Sequence, residues 1–258
     1  MSVSEAAPVL TERRGGALIV TLNRPAARNA VNEALADGLA AAMDVLDESD
    51  DLAVGVLVGA GKGFCAGMDL KAFLNGERSA AGDRGFAGIV QRPPDKPLIA
   101  AVEGFAVAGG LEIALACDVI VAGEGARFGL PEVKRALVAT GGGLRRLPQR
   151  VSSGRALALA LTGELIDTDE AYAIGLVDRR APAGKALDEA LTLAAAMAIN
   201  GPLAIRATKE VLRRQQDWSD AEFWDRQETV AAVAMASEDA REGSRAFAEK
   251  RAPRWQGR

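Results

Sequence analysis

The sequence predicts an α/β fold with much parallel strand pairing, and three observations carry that expectation. Short apolar runs of strand length recur through the first two thirds of the 258 residues, helix-length stretches lie between them, and glycine-rich turns join one kind to the other. The length suits one large domain, or one domain with an appendage.

The elements follow in order. Residues 16–23, GALIVTLN, read as a buried strand, and residues 32–48, NEALADGLAAAMDVLDE, carry apolar residues at helical spacing. Further strands are expected at 53–59, 97–104, 117–123 and 175–181, with a helix at 109–116, GGLEIALA. The stretch 72–96 is polar and glycine-rich and reads as a mobile connection. From about residue 183 the pattern turns helical, at 183–200, 202–216, 220–236 and 237–251, with Ser237, Asp239 and Glu242 as a start signal for the last of these. Helices with apolar faces and no strands bury those faces on each other, on the preceding part or on another subunit. The chain thus divides at 1–182 and 183–258.

Composition excludes several functions. The formal charge is −4, which leaves no electrostatic footprint for nucleic acid. No apolar run reaches the roughly 18 residues of a membrane span, and the N-terminal stretch lacks the basic-then-apolar order of a signal peptide, so a cytoplasmic protein is expected. Cys65 and Cys117 make no disulfide or zinc framework and read as small buried hydrophobes. There is no histidine, which removes Ser-His-Asp and Cys-His mechanisms and leaves carboxylates as the first place to look for acid–base chemistry.

Two turns stand out. FCAGMDL, residues 64–70, and GFAVAGGLE, residues 104–112, each set small residues after an apolar run, where backbone N–H groups approach a ligand at a helix start. Two such turns in one sheet converge two donors on one oxygen, the geometry of an oxyanion hole. Glu112 falls in the first turn of the second helix, and Glu132 follows Pro131 at the end of a short extended stretch.

Six segments together resemble the enoyl-CoA hydratase/isomerase, or crotonase, family: 22–31, 59–70, 104–123, 126–133, 160–180 and 237–255. They occur in the family's order over residues 10–255. The resemblance implies stacked ββα units forming a superhelical core over 1–182 that carries the acyl-CoA site. It also implies a helical trimerisation region over 183–258, with trimers that often pair into hexamers.

Residue by residue, the resemblance implies that Met68 and Gly109 give backbone N–H groups to a thioester carbonyl, and that Glu112 and Glu132 are the catalytic pair. Family isomerases commonly keep only the second glutamate, so the presence of both resembles a hydratase. Such a pair shares a proton in a dry pocket, which raises one apparent pKa. The CoA portion is expected along Ala26, Ala27 and Arg28 and along Ala66, Asp69, Leu70 and Lys71, with Lys250 a weaker phosphate partner. No metal or redox cofactor is implied, since coenzyme A belongs to the substrate. The sequence departs from the family at 139–148, ATGGGLRRLP, where Ala139 and Thr140 replace Pro-Gly near the acyl end. The expected function is hydration of a trans-2-enoyl-CoA. The rivals are isomerisation, hydration or dehydration of a carnitinyl or steroid side-chain thioester, and a non-catalytic acyl-CoA binder.

Overall fold

The computed structural model describes residues 7–258. Strand β1 (Val9–Arg14) turns back into β2 (Ala17–Leu22) as an antiparallel hairpin. Helix α1 (Glu33–Glu48) follows, started by the Asn32 side chain, which accepts from the Leu35 N–H at 3.2 Å. Then come β3 (Val54–Gly59), α2 (Leu70–Leu74), the short strands β4 (Ala80–Ala81) and β5 (Gly85–Phe86), β6 (Leu98–Val102), β7 (Phe105–Val107) and α3 (Gly109–Ala116). The second half holds β8 (Val119–Gly123), β9 (Arg127–Gly129), α4 (Gly143–Arg150), α5 (Ser153–Thr162), β10 (Ile166–Asp167), α6 (Thr168–Ala173) and β11 (Arg179–Ala181). Four helices end the chain: α7 (Ala186–Ala198), α8 (Pro202–Arg214), α9 (Asp220–Ala236) and α10 (Glu238–Ala248).

Six strands form the main sheet in the order β1-β2-β3-β6-β8-β11, parallel throughout except for the β1–β2 hairpin. Its inner strands β2, β3, β6 and β8 are apolar on both faces because both faces are covered, whereas the edge strands β1 and β11 carry exposed polar residues. On one side Leu18, Val20, Leu57, Ala100 and Ile120 pack with α1 and α3. On the other, Val54, Val56, Ile99 and Val121 meet Ala186, Ala190 and Ala194 of α7, small residues that let the helix sit close.

A second, smaller sheet determines where the chemistry can happen. Strands β10, β9 and β7 form it, and Cys65 extends it by a parallel bridge to Ala106. The chain therefore climbs from main sheet to small sheet to helix at β3, at β6–β7–α3 and at β8–β9, which is the stacked ββα arrangement expected from the sequence.

In the stretch 72–96, residues 73–78 are exposed while the later part packs on the core. Ala87, Ile89 and Val90 are buried, and the Arg84 guanidinium, 2 % exposed, holds Asp44 of α1 at 2.6 Å and donates to the Arg92 carbonyl at 2.6 Å. A buried arginine with these partners ties the segment to the core, and nothing in its polar, glycine-rich composition announces that anchor. Ser237 accepts from the Ala240 N–H at 3.0 Å and starts α10 as expected. Cys65 and Cys117 are buried free thiols.

Helix α8 is pinned to the main sheet by charge. Asp118 receives Lys209 Nζ at 2.8 Å and Arg213 Nε at 2.7 Å, and its Oδ2 also accepts from the Leu98 N–H at 2.7 Å. Removing a carboxylate from a largely buried group of this kind strands the cations. Asp118→Ala is expected to cost about 2–4 kcal/mol, read as a lowered midpoint in urea unfolding, whereas breaking an exposed pair such as Arg226–Glu222 is expected to leave the midpoint almost unchanged.

Candidate active site

The site is built on the ends of the small sheet. Cys65 pairs with Ala106 and Ala106 pairs with Phe128, so three turns leave the sheet in register. Three residues beyond Cys65 and Ala106 stand Met68 and Gly109, and four beyond Phe128 stands Glu132.

The first two turns touch. Gly67 has φ +93°, and a Cβ added there would lie 2.8 Å from the Gly109 nitrogen, so only glycine fits. Gly110 is equally constrained, because an added Cβ would fall 2.1 Å from the Cys65 carbonyl oxygen. Ala108, at φ +53°, starts α3 in a conformation unusual for a residue with a side chain, and its N–H is held by the Gly129 carbonyl at 2.9 Å. Around Met68, the neighbouring Gly67 carbonyl accepts from Val31, while the Asp69 N–H donates to Val31. Among the described residues no backbone carbonyl accepts from the N–H of Met68, and Gly109 opens its helix ahead of any intrahelical acceptor. Two unengaged amides thus lie side by side at a helix N-terminus, where negative charge is favoured.

Glu112 lies one turn into α3, 4 % exposed. Its Oε1 accepts from the Gly143 N–H at 2.9 Å, and the backbone of Gly141 crowds Oε2 so closely that an added Cβ would approach to 2.5 Å. Burial pushes its pKa up to about 7; the Gly143 amide opposes this, and the charge of Glu132 reinforces it. Glu132 sits in the first turn of a short 3-10 helix, Pro131–Arg135, rather than at the end of an extended stretch, because Pro131 starts the turn directly after β9. Its Oε2 is buried and accepts no hydrogen bond among the described residues, and burial raises its pKa as well. The two glutamates are therefore brought together as a pair of carboxyls with enhanced proton affinity.

The expected CoA positions lie on two adjoining turns. Ala26, Ala27 and Arg28 end the short 3-10 turn Pro25–Ala27, with Arg28 exposed and its guanidinium paired with no acid among the described residues. The Arg28 carbonyl accepts from the Ala66 N–H at 3.1 Å, which joins this turn to the 64–70 turn. Leu70 and Lys71 are exposed at the start of α2. Asp69 is engaged otherwise: its carboxylate accepts from the Lys71 and Ala72 amides at 3.1 and 3.3 Å and pairs with Arg24 at 2.9 Å. Lys250 lies on the exposed surface beyond α10. Among the described residues no three Cys, Asp or Glu side chains gather in a metal-holding arrangement.

Three residues join the site that sequence reasoning did not single out. Asn29, buried with φ +55°, donates to the Ala60 and Gly63 carbonyls at 2.9 Å each and so fixes the 59–64 backbone below the first turn. Arg24 ties the first loop to Asp69. The ring of Phe86 lies against both Gly109 and Gly141, where added Cβ atoms would come within 2.6 and 3.2 Å of it. The signal for Asn29 was an asparagine in a proline-initiated turn, whereas a single phenylalanine in 72–96 gave none.

A family model described as enoyl-CoA hydratase/isomerase matches residues 12–258. The chain belongs to the enoyl-CoA hydratase/isomerase family. Among family members, it is 43% identical to the enoyl-CoA hydratase EchA19 of Mycobacterium tuberculosis H37Rv, over 100% of both chains. The crystal structure of enoyl-CoA hydratase EchA1 from Mycobacterium marinum superimposes with a TM-score of 0.96 at 52% identity, covering 98% of this chain and 100% of that one. An enoyl-CoA hydratase structure from Mycobacterium tuberculosis H37Rv gives the same TM-score at 51% identity, with the same coverage. The fold is thus the crotonase fold of this family.

The raised Glu112 pKa has a consequence for stability. Folding favours the protonated carboxyl, so the stabilisation is complete below the unfolded value of 4.5 and is lost as pH rises through about 7. Glu112→Gln, which keeps an acceptor for Gly143 and never ionises, is expected to melt close to wild type at about pH 4.5. At about pH 8 it should melt several degrees higher, the two curves separating by about 3 kcal/mol of stability at most. Scanning calorimetry across that range checks this.

Proposed function

We propose that this family member is an enoyl-CoA hydratase, adding water across the double bond of a trans-2-enoyl-CoA to give a 3-hydroxyacyl-CoA. The observation that carries the reading is the carboxyl pair: Glu112, held by the Gly143 amide with its pKa near 7, and Glu132, whose buried Oε2 has no hydrogen-bond partner among the described residues and whose burial favours the protonated form. Both a proton acceptor and a proton donor are needed at one double bond, and the pair supplies them without histidine.

In the proposed reaction the Met68 and Gly109 N–H groups hold the thioester oxygen. Glu112 takes a proton from water as the water oxygen bonds to Cβ, and the electron pair of the double bond moves onto the thioester as an enolate. The two amides stabilise that oxygen, each donor being worth on the order of 3 kcal/mol. Glu132 then gives its proton to Cα, so that both additions occur on one face. The proton gained by Glu112 returns to Glu132 or to solvent, and the reverse sequence is dehydration. Phe86 and the Gly141 backbone pack beside Glu112 on this side of the site.

The CoA portion is assigned to the backbone of Ala66, Asp69, Leu70 and Lys71 and to Ala26, Ala27 and Arg28, with the exposed Arg28 guanidinium as a phosphate partner. Residues 183–258 are assigned to a homotrimer, possible pairs of trimers included, because helices α8 to α10 leave Leu212, Trp224, Val233, Met235 and Phe247 exposed, the last at 87 %. Light scattering is expected to give three times the chain mass of 26.8 kDa, or six, and a monomer would remove the assignment. The reading implies a cytoplasmic enzyme of fatty-acid β-oxidation or related acyl-CoA catabolism.

Purified protein is expected to hydrate crotonyl-CoA, with Glu112→Gln and Glu132→Gln each losing at least about 100-fold in kcat. Turnover retained in Glu112→Gln, or conversion of a 3-enoyl-CoA alone, would favour isomerisation, and tight thioester binding without any hydration would identify a binder. The pair works while it holds one proton. The kcat/KM profile is therefore expected to be bell-shaped, falling above about pH 7 where the last proton leaves and again in acid where the second arrives. A flat profile from about pH 5 to about pH 9 contradicts the assignment.

A further inference from the structure

A cavity of about 1010 Å³ lies between the C-terminal end of α3, helix α4 and helix α8. That is the size of a ligand site rather than a packing defect. Thr140, Gly141 and Gly142 form one end of it. Gly141 also packs against Oε2 of Glu112 and the Phe86 ring, so its backbone is shared between the cavity wall and the surroundings of the carboxyl pair. This is also where the sequence departs from its family, at Ala139 and Thr140.

The walls combine apolar groups such as Leu115 and Ile205 with five cations, Arg145, Arg146, Arg150, Lys209 and Arg213. Four of the five have acid partners. Arg145 meets Asp217 at 2.6 Å, Arg150 meets Asp178 at 2.8 Å, and Lys209 and Arg213 share Asp118. Arg146 has no ion pair among the described residues, and its guanidinium donates only to the Val90 carbonyl. Burial holds its pKa below the usual arginine value, and repulsion from Arg213 and Arg145 adds to that. The Glu112 carboxyl acts on it only at longer range, without an ion pair. A part-buried cation with two like neighbours and no directly paired acid is stabilised by an anion, and a guanidinium suits a carboxylate in two-point contact.

We propose that this cavity receives the distal end of the acyl chain and that Arg146 binds an ω-carboxylate there, so that the preferred substrates are CoA thioesters of unsaturated dicarboxylic acids. The inference rests on the reading of the site as an acyl-CoA site and adds the class of acyl group. An alkyl end would cover Arg146 without compensating its charge, and a trimethylammonium end would be repelled by it.

Isothermal titration with saturated thioesters, which bind without a double bond to hydrate, tests this separately from catalysis. The probes are adipyl-CoA, its ω-methyl ester and hexanoyl-CoA, with suberyl-CoA and its ester as a longer pair. Wild type is expected to bind at least one free acid about tenfold or more tightly than its ester. Arg146→Met is expected to bind acid and ester within about twofold, and Arg146→Lys to keep part of the preference. Each protein is compared with itself, so any change at the CoA end cancels in the ratio, and the wild-type arm decides alone if a variant fails to fold. Equal affinities for acid and ester in wild type overturn the proposal, and they are also the result expected if a free anion or an acidic side chain of a second copy occupies Arg146. A preference that survives Arg146→Met overturns it too. Failure to hydrate both crotonyl-CoA and the 2-enoyl form of adipyl-CoA would sink the hydratase reading while leaving these ratios as they stand.

Discussion

The site depends on the register of a sheet only three strands wide. Cys65, Ala106 and Phe128 are paired side by side, and each begins a departure from the sheet. Because parallel pairing fixes the offset between neighbours, the backbone at Met68, the start of α3 at Gly109 and the turn bearing Glu132 are delivered to one place from segments far apart in sequence. The close approach this demands is met at two glycines, Gly67 and Gly110, where any Cβ would strike the facing backbone. A slip of one residue in β9 would displace the turn that bears Glu132 and leave Glu112 alone.

Electrostatics completes what the register begins. A chain without histidine has no side chain that titrates near neutrality unless its surroundings create one. Burial in the first turn of α3 does that for Glu112, and the Gly143 amide fixes the carboxyl without holding it ionised. The helix dipole and the Gly143 bond favour the charged form, yet desolvation prevails, since almost none of the carboxyl meets water. The outcome is a carboxyl with the titration range of an imidazole.

Much of this was legible in the sequence, and the parts that were not share a cause. Strands and helices announced themselves through runs such as GALIVTLN and NEALADGLAAAMDVLDE, since apolar periodicity is set by which face is buried. The two glycine turns were readable because close backbone approach permits few other residues. The polar composition of 72–96 gives no sign of its anchor, the buried Arg84 guanidinium paired with the half-exposed Asp44. Phe86 has no local signal, since its role comes from contacts with Gly109 and Gly141, whereas Asn29 is signalled only as a turn asparagine and its bonds to Ala60 and Gly63 are long-range. Glu132 was located by its motif, but its 3-10 turn was taken for extended chain.

The segment between α2 and β6 leaves the layered core and returns to it without contributing a strand to either large element of the architecture. It touches the chemistry only by laying Phe86 across two glycines. On the proposed reading, proton transfer and oxygen binding rest on a frame where Gly67 and Gly110 accept no side chain, while selection among acyl groups falls to the 72–96 segment and the 139–142 loop. Substitutions at these edges would then change which thioesters are accepted without disturbing the carboxyl pair or the two amides.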